Sequence, residues 1–129
     1  MPRAKANGIE IEYETFGPGT APAVLLINGL GSQMTRWPVP FCEKLVARGF
    51  RAIRFDNRDG GLSTWFQSGD RYTLSDMAAD AMGLLDHLKI GKAHVVGVSM
   101  GGMIAQTVAI EHPDRVLSLT SIMSATGAP

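Results

Sequence analysis

Two short stretches, Ala23-Val24-Leu25-Leu26-Ile27 and Ala93-His94-Val95-Val96-Gly97-Val98, are nearly unbroken apolar runs. Strands of this kind must be buried on both faces, which is the condition of a parallel strand covered by helices. The sequence between and after them supplies those helices. Residues 38–48 open with Pro38, place Phe41, Cys42, Leu45 and Val46 on one face, and stop at Gly49. Phe50 to Phe55 reads as a further strand, in which Arg54 has no evident role beyond pairing with a nearby aspartate. Thr73-Leu74-Ser75-Asp76 is a capping-box signal for a helix whose stripe is Leu74, Met77, Ala78, Ala81, Leu84, Leu85 and Leu88, closed by Gly91. Residues 100–111 form another helix, ended near Pro113, and Val116–Ile122 a last strand. Upstream, Gly8 to Phe16 alternates apolar and polar residues, the pattern of a half-exposed strand or hairpin at a sheet edge. Strand–helix alternation of this length predicts an α/β fold with a mostly parallel sheet, flanking helices and right-handed crossovers.

The chain has 129 residues, the size of a single domain. It is 45% hydrophobic and 19% charged, which excludes a disordered chain. Twelve basic residues balance twelve acidic ones, so no net field draws it to nucleic acid or an anionic membrane. No apolar run reaches the roughly 18 residues of a membrane-spanning helix, and no apolar segment follows the basic N-terminus as in a secretory signal. Its one cysteine cannot form an internal disulfide, so a cytoplasmic location is expected. One cysteine and three scattered histidines do not make a metal site.

Chemistry is concentrated in Gly97-Val98-Ser99-Met100-Gly101. G-x-S-x-G alone is a common match; its context makes it informative. A buried strand runs straight into it and a helix straight out, which is the setting of a nucleophile elbow. Such a turn holds its serine in a strained backbone conformation with Oγ raised above the sheet. Side chains at 97 or 101 are expected to clash where strand and helix cross, so both are glycine. The Met100 N–H then shares a helix N-terminus with that hydroxyl, where developing negative charge is stabilised. Asn28-Gly29-Leu30-Gly31 follows the Ala23–Ile27 strand and should emerge at the same sheet edge, where the Leu30 N–H can provide a second oxyanion donor.

NGLGSQ (28–33), RFDNRDGGLST (54–64) and GVSMGG (97–102) together resemble the N-terminal half of an α/β-hydrolase fold enzyme. The esterase group that includes aclacinomycin methylesterase-like proteins is the most similar flavour; proline iminopeptidases and cofactor-free haloperoxidase-like perhydrolases are more distant. The resemblance runs over essentially the whole chain. It implies hydrolysis of carboxylic esters or related acyl substrates without a cofactor, with Ser99 as nucleophile and Leu30 and Met100 as oxyanion donors. Many relatives carry His-Gly where this chain has Asn28-Gly29. Relatives also continue through a lid and further strands, so the expectation is a single, incomplete domain over residues 1–129, a truncated α/β-hydrolase fold of about six strands.

Such a serine needs a base, and in this fold the order is Ser, then Asp or Glu, then His. After Ser99 come Glu111, His112 and Asp114, at the far end of a helix roughly 18 Å long. His94 starts the strand that Ser99 ends, and His87 ends the helix before it. All three histidines are therefore expected at the wrong side of the sheet, as helix-end charges and a strand-start polar residue. Asp56, Asp59 and Asp70 are expected at the right edge, but a carboxylate without histidine makes no triad; local turn bonding and an Arg–Asp pair account for the first two. Trp65 and Phe66 either line an acyl pocket or pack their loop; Met100 and Met103 are expected in the core. Cys42, on an apolar helix face, reads as a buried thiol rather than a nucleophile.

Two other functions compete with the esterase reading. Gly29-x-Gly31 after a buried strand, with Asp56 ending a later one, loosely imitates a dinucleotide-binding fingerprint, but Met34 stands at the third glycine and Trp37-Pro38 interrupts the helix. The other is a non-catalytic, hydrolase-derived scaffold. The Val116–Ile122 strand is expected to be an exposed apolar edge, and such edges recruit another strand, so self-association or complementation by a second chain is expected there.

Overall fold

In a computed structural model the chain is described over residues 3–6, 8–28, 34, 37–56 and 74–122. Six strands form one sheet: β1 (Arg3–Ala6), β2 (Ile9–Phe16), β3 (Ala23–Ile27), β4 (Arg51–Phe55), β5 (Ala93–Val98) and β6 (Val116–Ile122). Their order is β1-β2-β4-β3-β5-β6. The four strands β4, β3, β5 and β6 are parallel, and the antiparallel β1–β2 hairpin borders β4. Three helices cover it: α1 (Val39–Ala47), α2 (Leu74–His87) and α3 (Met100–Glu111).

The apolar runs behave as their composition requires. All five residues of β3 are buried, because β3 is central and covered on both faces. One core layer joins Leu25, Ile27, Ile53, Phe55 and Val95 to Met77, Ala81, Leu84 and Leu85 of α2 and Ile104, Ala105 and Val108 of α3. The opposite layer joins Val24, Leu26, Ala52 and Val98 to Trp37 and Cys42. The stripe expected on α2 is the buried stripe, with Leu74 and Leu88 packed at its ends.

Some local expectations change. The helix stop after α2 is Lys89, which takes a left-handed φ of 60°, and not Gly91, which has no positive φ. Arg54 pairs with Glu14 of the neighbouring β2 rather than with an aspartate: its Nε donates to Glu14 Oε1 at 2.9 Å and its second amino group to the same oxygen. Its third nitrogen donates to the Trp37 carbonyl at 2.8 Å, and the Phe16 ring lies 5.3 Å from the guanidinium carbon. A buried arginine in a strand is thus tolerated because every face of it has a partner. The short β1 strand was not among the expected elements: its Arg3-Ala4-Lys5-Ala6 alternation is only four residues long.

The chain leaves β3 through α1 to β4 on one side, and returns through α2 to β5 on the other. The C-terminal ends of β3 and β5 therefore flank the topological switch point, where open α/β sheets bind ligands. Asn28 follows the first strand and Ser99 the second.

Candidate active site at the β5–α3 turn

Ser99 is the single residue between β5 and α3. Its backbone sits at φ 58°, ψ −127°, one of two positive-φ non-glycine residues among those described. This conformation costs on the order of 1–3 kcal/mol and persists only where the surroundings impose it. Here they do. The Ser99 N–H donates to the Ile122 carbonyl at 2.8 Å, tying the turn to the end of β6, and the Ser99 carbonyl accepts from the Gly102 N–H at 2.9 Å. Close packing closes the remaining freedom. A Cβ on Gly97 would come within 2.1 Å of the Gly101 oxygen, and one on Gly101 within 2.2 Å of the Ile27 oxygen and 2.8 Å of the Asn28 oxygen. The two glycines let α3 start directly on the ends of β5 and β3.

The result is an exposed serine whose hydroxyl does not cap the helix it begins. The first turn of α3 holds no acidic residue, so the positive end of the helix dipole at Met100 is not neutralised by a carboxylate of that turn. Met100 and Met103 are half-buried rather than fully in the core. Relaxing the turn without disturbing its neighbours should be possible through Ser99→Gly. Glycine accepts the left-handed φ at no steric cost but loses more freedom on folding, so a net gain of about 1 kcal/mol is expected. Urea unfolding checks it; an unchanged midpoint would mean that the turn is not strained.

Across the switch point, Asn28 is fully buried. Leu30 lies outside the described residues, as do Asp59, Trp65, Phe66 and Asp70. The far part of the β3–α1 connection is held from β4. Asp56, 2% exposed, accepts the Met34 N–H at 2.6 Å, and Arg54 holds the Trp37 carbonyl. Asp56 therefore bonds 22 residues away in sequence, which local turn chemistry did not suggest. The only sequence signal for either anchor was a charge placed at the end of an otherwise apolar strand.

His87 stands edge-on to Tyr13, with ring centres 6.0 Å apart. His94 Nδ1 is 2.7 Å from Ser118 Oγ and edge-on to Phe50. His112 caps the far end of α3 through its N–H to Val108. No group of three or more potential metal ligands occurs among the described residues.

Cys42 is completely buried, with Sγ 3.9 Å from the Trp37 carbonyl. Burial pushes its thiol above the ordinary value of 9.0, against the opposing pull of the Arg54 charge. The raised native pKa means that the folded state holds the proton where the unfolded state releases it. Stability from this group is therefore full below pH 9.0 and is lost as the pH climbs through the native value. Iodoacetamide at pH 8 should leave the folded chain unmodified and alkylate it in urea; alkylation without urea would contradict the burial.

A family model described as alpha/beta hydrolase fold matches residues 22–128. The chain belongs to the α/β-hydrolase fold family. Rhodomycin D methylesterase of Streptomyces peucetius is 41% identical over 127 residues, covering 95% of this chain and 42% of that protein. The 3-oxoadipate enol-lactonase 2 of Acinetobacter baylyi is 33% identical over 113 residues, covering 85% and 40%. Among solved structures, a hydrolase from Pseudomonas aeruginosa superposes with a TM-score of 0.89 at 27% identity, over 99% of this chain and 47% of that one. The enol-lactonase of Burkholderia xenovorans gives 0.79 at 36% identity, over 89% and 44%. The chain thus spans less than half the length of these relatives. α1 begins at Val39, with Pro38 at its N-cap. No helix among the described residues is long and apolar enough to cross a membrane.

Proposed function

We propose that this chain carries the nucleophile and oxyanion half of a serine hydrolase acting on carboxylic esters. The observation that carries the reading is the Ser99 backbone, held at φ 58° between two close-packed glycines at the switch point. A strained, exposed serine at a helix N-terminus suits attack on an acyl carbonyl. Ser99 Oγ forms the new bond to the carbonyl carbon while a general base takes its proton. The carbonyl oxygen becomes an oxyanion against the N–H groups of Met100 and Leu30. Collapse expels the alcohol, which receives the proton, and water then releases the acid by the same route in reverse roles. No cofactor enters these steps. The methylesterase and enol-lactonase names of the relatives support an ester or lactone as the acyl class.

On this reading the base and its carboxylate partner are supplied by another segment, which is supported by the positions of the histidines: His87 packs on Tyr13, His94 bonds Ser118, and His112 follows the far end of α3. An unassisted serine hydroxyl is a weak nucleophile, so the chain alone should show little or no turnover. The test is complementation. The chain is mixed with the separately produced remaining half of the Streptomyces methylesterase, and p-nitrophenyl acetate and methyl-ester hydrolysis are followed. Turnover by the mixture and not by either part is expected. A folded, associated mixture without turnover would favour the non-catalytic scaffold instead.

A further inference from the structure

The β3–α1 connection is fastened to the body of the fold at Asn28, Met34 and Trp37. Its start is fixed by packing. Asn28 is fully buried, and its carbonyl oxygen would lie 2.8 Å from a Cβ on Gly101, so α3 leans directly on this backbone. Its later part hangs on Arg54 of β4 and on Asp56 just beyond it. Leu26 is in register with Arg54 in the parallel β3–β4 ladder, so Asp56, two residues further on, stands beside Asn28 at the C-terminal edge of the sheet. The Asp56 N–H donates to the Glu12 carbonyl at 3.0 Å, which continues the β2–β4 ladder and fixes its backbone. From there Oδ1 accepts the Met34 N–H at 2.6 Å. The Trp37 N–H donates to the Met34 carbonyl at 3.0 Å, and Arg54 donates to the Trp37 carbonyl at 2.8 Å. Met34, Trp37, Arg54 and Asp56 are all buried, so this brace belongs to the interior of the fold and not to an open surface.

We propose that Asp56 is a positioning residue for acyl transfer at Ser99: by holding the Met34 amide it limits where the Leu30 N–H can stand relative to that of Met100. This role rests on the reading of Ser99 as nucleophile and of Leu30 as oxyanion donor. Only residues 29–33 separate Asn28 from Met34, and Leu30 is among them. A stretch so short, tied at both ends, has little conformational freedom left to lose when it meets an oxyanion. A whole oxyanion donor contributes roughly 10²–10³-fold to kcat, and only where it lies close to the developing charge, so the brace accounts for part of that factor. A carboxylate suits the task. It accepts without competing as a donor, and its bond to a backbone N–H is charge-assisted, about twice as strong as a neutral one. If Asp56 served stability alone, its loss would change the folded fraction and leave the turnover of each folded molecule intact.

The test is a pair of substitutions read in the assembly complemented by the remaining half of the Streptomyces methylesterase. Ester turnover is resolved into kcat and KM, and the rate of Ser99 phosphonylation is followed beside it. Asp56→Ala removes the acceptor, whereas Asp56→Asn keeps an acceptor oxygen and removes the charge. Asp56→Ala should lower kcat about 10–100-fold, as a displacement of about 1 Å does, with KM little changed and phosphonylation slowed in parallel. Asp56→Asn should recover most of that loss. In the chain alone, the Met34 amide should exchange with deuterium about tenfold faster in Asp56→Ala, while the β3 and β5 amides exchange as in the parent. Should alanine prevent folding, Asp56→Glu is the second variant: it keeps the charge but carries the acceptor one methylene too far, and the same fall in kcat is expected. A normal kcat in a folded Asp56→Ala assembly, with Ser99→Ala inactive, overturns this role and leaves the nucleophile standing. Asparagine as poor as alanine overturns it too, because the charge and not the hold on Met34 would then matter. So does a Met34 amide that stays equally protected without the carboxylate. A parent assembly without turnover would overturn the reading of Ser99, and this role with it.

Discussion

Gly101→Ala should destabilise the chain by about 3 kcal/mol or more, the upper end of what overpacking costs. The added methyl would meet three backbone atoms, the Ile27 oxygen at 2.2 Å, the Ile27 carbon at 2.7 Å and the Asn28 oxygen at 2.8 Å. Backbone cannot swing aside as a long side chain can. Either α3 withdraws from β3, opening the layer that holds Ile104, Ala105 and Val108, or β3 distorts in the centre of the sheet. Both routes forfeit core packing in a fold whose whole stability is expected at about 5–15 kcal/mol. Gly97→Ala should behave alike, since its methyl would strike the Gly101 carbonyl. Gly91→Ala is the control: nothing lies within 4 Å of a Cβ there and φ is not positive, so its effect should stay within about 0.5 kcal/mol. Urea unfolding of the three variants distinguishes close approach from a general intolerance of alanine. Equal midpoints for Gly91→Ala and Gly101→Ala would contradict the packing account.

Ser99→Ala should have the largest effect on chemistry. In the complemented assembly, loss of the nucleophile should lower kcat on the order of 10⁵–10⁶-fold, with KM little changed, because the hydroxyl takes part only in bond formation. Alanine keeps the strained φ, so stability should move far less than in Ser99→Gly. Turnover surviving in Ser99→Ala would exclude this residue as the nucleophile, whatever the fold.

Much of this molecule was legible from its sequence because local patterns and packing agree. The unbroken apolar runs became the buried parallel strands β3 and β5, and the stripe from Leu74 to Leu88 became the covered face of α2. The elbow was legible for a steric reason: glycines at 97 and 101 are demanded by backbone contacts that any strand–turn–helix of this tightness makes. What stayed hidden depends on partners distant in sequence. Arg54 finds Glu14 forty residues away, Asp56 finds the Met34 amide, and the Ser99 amide is taken by Ile122. No periodicity encodes such pairings. The left-handed stop fell on Lys89, where composition pointed to Gly91, because glycine permits a positive φ without requiring it.

The reading of Ser99 as an activated nucleophile is tested most directly by intact-mass spectrometry after fluorophosphonate treatment, on the chain alone and with the remaining half of the methylesterase. One phosphonyl adduct, mapped to Ser99, is predicted for the 13.8 kDa chain in the complemented sample, with the chain alone essentially unmodified. An unmodified chain within a folded, associated complex, or an adduct on any other residue of this chain, would contradict it.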